Sequence, residues 1–138
     1  MLQICALDHF VLRVTDLDRA LAFYGDLLGL PILFSDEYRR GERPFVSVRI
    51  GNQLLDLIPD TTFDPAEGSA RGGFVHFCAR FRGADFPALV DMLTRAGVEI
   101  LGAEPVPRMG AAGVSRSIYV RDPDGYVVEL KEDTLEEG

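Results

Sequence analysis

The sequence predicts an α+β fold in which two tandem β-α-β-β-β modules form a curved mixed sheet around a cleft. Three observations predict it. The stretch HFVLRV at 9–14 recurs as HFCARF at 76–81, with His, Phe and Arg coinciding. Each copy leads into a segment of helical period ending on glycine, DLDRALAFYGDLLG at 16–29 and GADFPALVDMLTRAG at 83–97. Each half then closes on an apolar strand carrying one acid, LLDL at 54–57 and VVEL at 127–130. The 138 residues are expected to form a single domain, with module one at about 5–60, a linker at about 60–72 and module two at about 73–133.

Period-two patterns and β-branched content place strands at 6–14, 31–34, 44–50, 53–59, 73–81, 98–101, 115–121 and 126–131. The first helix presents Leu17, Ala20, Leu21, Tyr24 and Leu28 as its apolar stripe, the second Phe86, Leu89, Val90 and Leu93. Asp122-Pro123-Asp124-Gly125 is a turn that joins the last two strands into a hairpin. Pro59, Pro65, Gly68 and Ser69 mark the link between modules. The stretch 102–113 reads as a longer, glycine-rich loop, either a cover for a ligand or a plain connector.

Composition narrows the function. Fourteen basic residues against 22 acidic ones give a net charge of −8, so no basic face is expected for nucleic acid or for an acidic membrane surface. Glu132, Asp133, Glu136 and Glu137 read as a solvated acidic end. No apolar run approaches the ~20 residues that a membrane helix requires. Asp8 and His9 interrupt the early apolar segment, so a secretory leader is not expected and the cytoplasm is. Cys5 and Cys78 are too few for a disulfide framework and read as reduced thiols.

Four residues resist explanation as packing. Strand alternation puts His9 on a face with Val11 and Arg13, and His76 on a face with Cys78 and Arg80. The opposite faces, Phe10, Leu12 and Val14 or Phe77, Ala79 and Phe81, are apolar and suited to a covering helix. Asp56 and Glu129 each lie inside an apolar strand, where an unpaired carboxylate costs several kcal/mol or takes up a proton. A divalent cation held by His9, Asp56, His76 and Glu129 compensates, since imidazole nitrogen and carboxylate oxygen suit Zn, Ni, Mn, Co and Fe(II). For Asp56 the alternative is an ion pair with Arg13 or Arg49.

At these residues the chain resembles the vicinal-oxygen-chelate superfamily of glyoxalase I, bleomycin-resistance proteins, fosfomycin-modifying enzymes and extradiol dioxygenases. The resemblance spans roughly 7–132, and LDHFVLRVTDLDRALAFYGDLLGL and RDPDGYVVEL are its most specific pieces. It implies a metal cupped by the sheet, with His9, Asp56, His76 and Glu129 at the ligand positions. Arg13 matches an arginine with which glyoxalase I contacts the glutathione part of its substrate; an ion pair with a strand acid is the alternative. PVPRMGAAG with SIYVRDPDG is similar to a group of glyoxalase-domain proteins, which makes Arg108 and Tyr119 further substrate-binding candidates. Two departures stand out. Asp56 replaces the usual glutamate of glyoxalase I, and some relatives carry a histidine where this chain has Ile58, so three protein ligands are an alternative to four. Asp60 replaces an asparagine that binds glutathione, and an acid there repels the anionic tripeptide.

The chemistry implied is Lewis-acid stabilisation of an anion on two adjacent substrate oxygens. The reading is a divalent-metal-dependent, glyoxalase-type isomerase or lyase, or a related transfer enzyme, that moves a proton beside an enediolate, with Glu129 as the base and Asp56 as the alternative. A non-haem Fe(II) dioxygenase using His9, His76 and Glu129 stays open, as does a non-catalytic drug- or metabolite-binding protein. The resemblance also implies a homodimer and a small-molecule substrate; a site within one chain and a site shared across the dimer both remain open.

Overall fold

The computed structural model describes residues 1–65 and 73–134, and the chain divides into two compact units, Met1–Asp64 and Pro65–Gly138. The first runs β1 (His9–Val14), α1 (Leu17–Leu21), β2 (Ile32–Leu33), α2 (Ser35–Arg39), β3 (Val46–Ile50) and β4 (Gln53–Pro59). The second runs β5 (Phe77–Phe81), α3 (Phe86–Arg95), β6 (Ile100–Gly110), β7 (Gly113–Arg121) and β8 (Val127–Glu132). Each unit is a four-stranded mixed sheet, in the orders β1-β4-β3-β2 and β5-β8-β7-β6. The α+β class and the repeated module are therefore as the sequence predicts. The linker's Gly68 and Ser69 lie outside the described residues.

The first strand of each unit pairs in parallel with its last, which brings the strand histidine and the strand acid of that half into one neighbourhood. In the first sheet Leu12, Val14, Val46, Val48, Leu55 and Leu57 occupy one face and are almost wholly buried. In the second, Ile118, Val120, Val128 and Leu130 do the same beneath Phe86, Leu89 and Leu93. The other face is left to the polar set. Truncating Leu57 to alanine removes apolar burial at the centre of the first sheet, a change that costs about 2–5 kcal/mol.

Both helices start on an aspartate that caps a free backbone N–H: Asp16 accepts from Arg19 N and Asp85 from Ala88 N. Both stop at a glycine with left-handed φ, Gly29 at 75° and Gly97 at 75°. The first helix departs from its expected stripe. After Leu21 it widens into a π-helical turn, Ala22–Leu27, which turns consecutive Phe23 and Tyr24 inward and leaves Leu28 half-buried.

Three other expectations are corrected. α2 was not foreseen, because SDEYR has no apolar stripe and none of its residues is buried. Most of the stretch 102–113 is not a loop: 102–110 is the outer part of β6, paired with β7 from Val106↔Ser117 to Gly110↔Gly113 beyond a register shift after Leu101, and only 111–112 turn between the strands. Pro105 and Pro107 disguised it, and β6 tolerates them because it is an edge strand whose outward N–H groups have no partner to lose. The tail is less solvated than expected. Glu132 ends β8 and bonds Arg116, and Asp133 is held by Arg80 and Arg82 with its side chain 5 % exposed; Glu136 and Glu137 lie outside the described residues.

Candidate metal and substrate site

In the first unit β4 is a central strand, and Asp56 stands between Val11 of β1 and Ser47 of β3. Asp56 is buried, and Ser47 Oγ donates to its Oδ1 at 2.6 Å. Among the described residues no arginine pairs with it; Arg13, the expected alternative partner, lies instead 4.0 Å from Asp60 Oδ2. Hydrogen bonds from Thr62, more than Arg13, hold the Asp60 carboxyl below its ordinary pKa. His9 shares the Asp56 face and sits half-exposed. Its Nδ1 is 2.6 Å from Asp8 Oδ1. That contact, and secondarily the Asp56 charge, raises the imidazole pKa. With the proton on Nδ1, Nε2 is left as the ligating nitrogen, the arrangement that orients metal-binding histidines.

In the second unit β8 is central, and Glu129 stands between Cys78 of β5 and Tyr119 of β7. Its longer side chain reaches past Tyr119 to the next residue on that face, and Ser117 Oγ donates to Oε2 at 2.7 Å. His76 Nε2 lies 3.1 Å from Oε1. Burial acts to raise the Glu129 pKa, but the Ser117 and Tyr119 hydroxyls, His76 and the Cys78 thiol outweigh it and hold the carboxyl below its ordinary value. The Tyr119 ring meets His76 edge-on with centroids 5.6 Å apart. Arg108 Nε donates to the Tyr119 hydroxyl at 3.2 Å. A run of polar contacts therefore leads from Arg108 through Tyr119 to Glu129, along a concavity of about 370 Å³ whose wall includes Leu101, Val106, Arg108, Ser117 and Tyr119.

His76 and Glu129 are nitrogen and oxygen donors of the kind a divalent cation takes, and their spacing is compatible with one. Two atoms bound to one ion at about 2.1 Å, at angles from octahedral to tetrahedral, lie about 3.0–3.4 Å apart, and the His76–Glu129 separation is 3.1 Å. Asp56 supplies a second argument. One hydrogen bond to a charged group returns about 1.5–3 kcal/mol, less than the several kcal/mol that burying a carboxylate costs. Among the described residues Ser47 alone bonds Asp56. Each unit thus supplies one imidazole and one serine-held carboxylate. Among the described residues no group of three or more His, Cys, Asp or Glu converges on a single point.

Cys5 and Cys78 are free thiols, as expected. Burial, then the neighbouring Glu129 charge, pushes the Cys78 pKa up to about 11, so without a metal the protonated thiol is a hydrogen-bond donor to the carboxylate. Sequence reasoning missed Ser47, Ser117 and Lys131. Their signal was a polar residue inside an otherwise apolar strand. Lys131 is 4 % exposed, and its ammonium donates to the carbonyls of Arg108 and of Ser115, fastening the β6–β7 hairpin to β8 two residues beyond Glu129.

Paired modules of this kind, with a histidine at or just before the start of the first strand and an acid on the last, match the vicinal-oxygen-chelate fold. The chain belongs to the Glyoxalase/Bleomycin resistance protein/Dioxygenase superfamily, whose family model matches residues 6–130. The virulence protein STM3117 of Salmonella typhimurium is 29 % identical over 127 residues, 91 % of this chain and 83 % of that protein. A probable lactoylglutathione lyase of Synechocystis sp. is 30 % identical over 124 residues, 88 % of this chain and 91 % of that one. Among solved structures, an integron cassette protein from the mobile metagenome of V. cholerae is similar with a TM-score of 0.73 at 28 % identity, covering 97 % of this chain and 99 % of that chain. No helix among the described residues is long and apolar enough to cross a membrane.

Proposed function

We propose that the protein is a divalent-metal-dependent enzyme of the glyoxalase type, acting on a small substrate with two adjacent oxygens. The single observation that carries this reading is that each unit presents a histidine and a buried, serine-held carboxylate on one sheet face. His9 and Asp56 of the first unit and His76 and Glu129 of the second are the residues we assign as cation ligands. A cation there supplies Lewis-acid stabilisation of the negative charge that develops on the substrate oxygens.

The protein's own groups do the rest. Glu129, kept ionised by its hydroxyl donors, accepts a proton from the carbon beside the substrate carbonyl and returns it to the adjacent carbon. Asp56 is the alternative base. Tyr119 orients Glu129, and Arg108 fixes the Tyr119 hydroxyl. Arg108 and Tyr119 also line the concavity beside them and contact the substrate there; Arg13 is the corresponding candidate of the first unit. The likeness to probable lactoylglutathione lyases supports a lyase, while Asp60 beside Arg13 argues for a thiol carrier other than anionic glutathione.

Elemental analysis of the purified protein tests the reading, followed by an isomerisation assay with hemithioacetals of several thiols. The expected result is one divalent cation per site and proton exchange at the substrate carbon that His9→Ala or His76→Ala abolishes. Protein loaded with Ni, Zn, Co, Mn and Fe(II) in turn that retains none of them overturns it.

A further inference from the structure

Between β2 and β3 of the first unit the chain builds a stack of three side chains. Arg43 places its guanidinium carbon 4.0 Å from the Phe34 ring centroid and 4.5 Å from that of Phe45. Both rings are thus within cation–π reach of the guanidinium. Glu42, the adjacent acid, is engaged by Arg40 Nε and Nη2 at 3.0 and 3.2 Å, and among the described residues Arg43 has no hydrogen bond and no ion pair. Arg43, half-buried as a residue, therefore keeps its five guanidinium N–H donors without a partner among the described residues.

Two further features point to a ligand. Phe34 has φ of 69°, a left-handed value that no other non-glycine residue shows among the described ones, and the residue is 42 % exposed. A bulky residue in this conformation is disfavoured and persists where its surroundings demand it. Phe45 immediately precedes β3 and comes two residues before Ser47, the serine that holds Asp56.

We propose that Phe34, Arg43 and Phe45 form an oxyanion-binding subsite, in which the guanidinium edge takes a carboxylate or a phosphonate of a small molecule in a forked pair and the exposed Phe34 ring packs on its apolar body. The inference deepens the proposed function by naming the charged group of the substrate, and it rests on the Asp56 face being the substrate side.

The test is calorimetric titration of the full chain, stripped of metal by chelation, with phenylphosphonate, benzoate and benzyl alcohol. At least one of the two anions binds wild type, and Arg43→Met weakens it tenfold or more without changing the response to the alcohol. The anion that binds more tightly identifies the source. Arg43→Lys keeps a cation between the rings and loses the fork; it weakens binding at least threefold and decides the matter if Arg43→Met does not fold. Unchanged affinity in the folded Arg43 variants, no anion binding in wild type, or a loss confined to Arg108→Met overturns the proposal. Because no metal is present, such a failure is distinct from failure of the metal reading, which elemental analysis registers on its own.

Discussion

Ser117 Oγ donates to Glu129 Oε2 at 2.7 Å, and this bond is the strongest of the influences that hold the buried carboxyl below its ordinary pKa against the pull of burial. A carboxyl depressed in the folded state stabilises the protein above its unfolded pKa, and that stability is lost as pH falls through the folded value. Ser117→Ala is expected to lower stability by about 1–3 kcal/mol at pH 7, and the deficit shrinks as pH drops below the carboxylate range. Urea unfolding of both proteins from pH 7 to pH 3 checks it; a deficit independent of pH contradicts it.

Removal of one ligand tests the donor set. His76→Ala and Glu129→Gln are each expected to weaken metal affinity at least tenfold, in the range that loss of an orienting group already produces. Competition with a chromogenic chelator measures this. Ser47→Ala, which leaves Asp56 in place without its donor, is expected to show a smaller loss of the same sign.

Tyr119→Phe keeps the ring against His76 and deletes the hydroxyl between Arg108 and Glu129. Turnover on a confirmed substrate is expected to fall about 10- to 100-fold, as for other groups that orient a ligand. The pH profile is expected to move as well, its acidic limb shifting upward because Glu129 has lost a donor to its charged form.

Gly110 lies over the buried lysine. A Cβ added there stands 2.6 Å from Lys131 Cε and 3.1 Å from Cδ, and Lys131 is tethered to two carbonyls. Gly110→Ala is expected to cost about 1–3 kcal/mol through overpacking. Combining it with Lys131→Met is expected to cost less than the sum of the two single changes.

The Cys78 thiol at a pKa of about 11 is about one part in a thousand thiolate at pH 8. Maleimide labelling of the metal-free protein is expected to reach Cys78 slowly and to accelerate about tenfold per pH unit up to that pKa. Glu129→Gln removes the nearby charge and hastens the reaction at fixed pH.

Much of this architecture was legible because it occurs twice. The matched histidines, the aspartate-capped and glycine-ended helices and the two strand acids each confirmed the other, and period two gave β4 its observed limits of Gln53–Pro59. What escaped notice lacked a periodic signal. α2 has no buried face, and the prolines of outer β6 read as breakers because edge position is invisible in one strand's sequence. The π-helical turn changes the period within a single helix, so Phe23 was missed while Tyr24 was found. At the site, charge drew attention to Asp56 and Glu129; the serine hydroxyls that hold them became visible only with register, since Ser47 lies directly opposite Asp56 and Ser117 lies one place diagonal to Glu129.

Parallel pairing of the first and last strands carries a kinetic consequence. The partners His9↔Leu54 and Phe77↔Val128 are far apart along the chain, so loop closure must precede any reward from contact. Neither half of the ligand set exists until the ribosome has released the final strand of its own module, and the amino-terminal half is ready first. A nascent chain halted before Gln53 therefore exposes the hydrogen-bonding edge of β1 with nothing to cover it, and chaperone capture is expected to peak at that length.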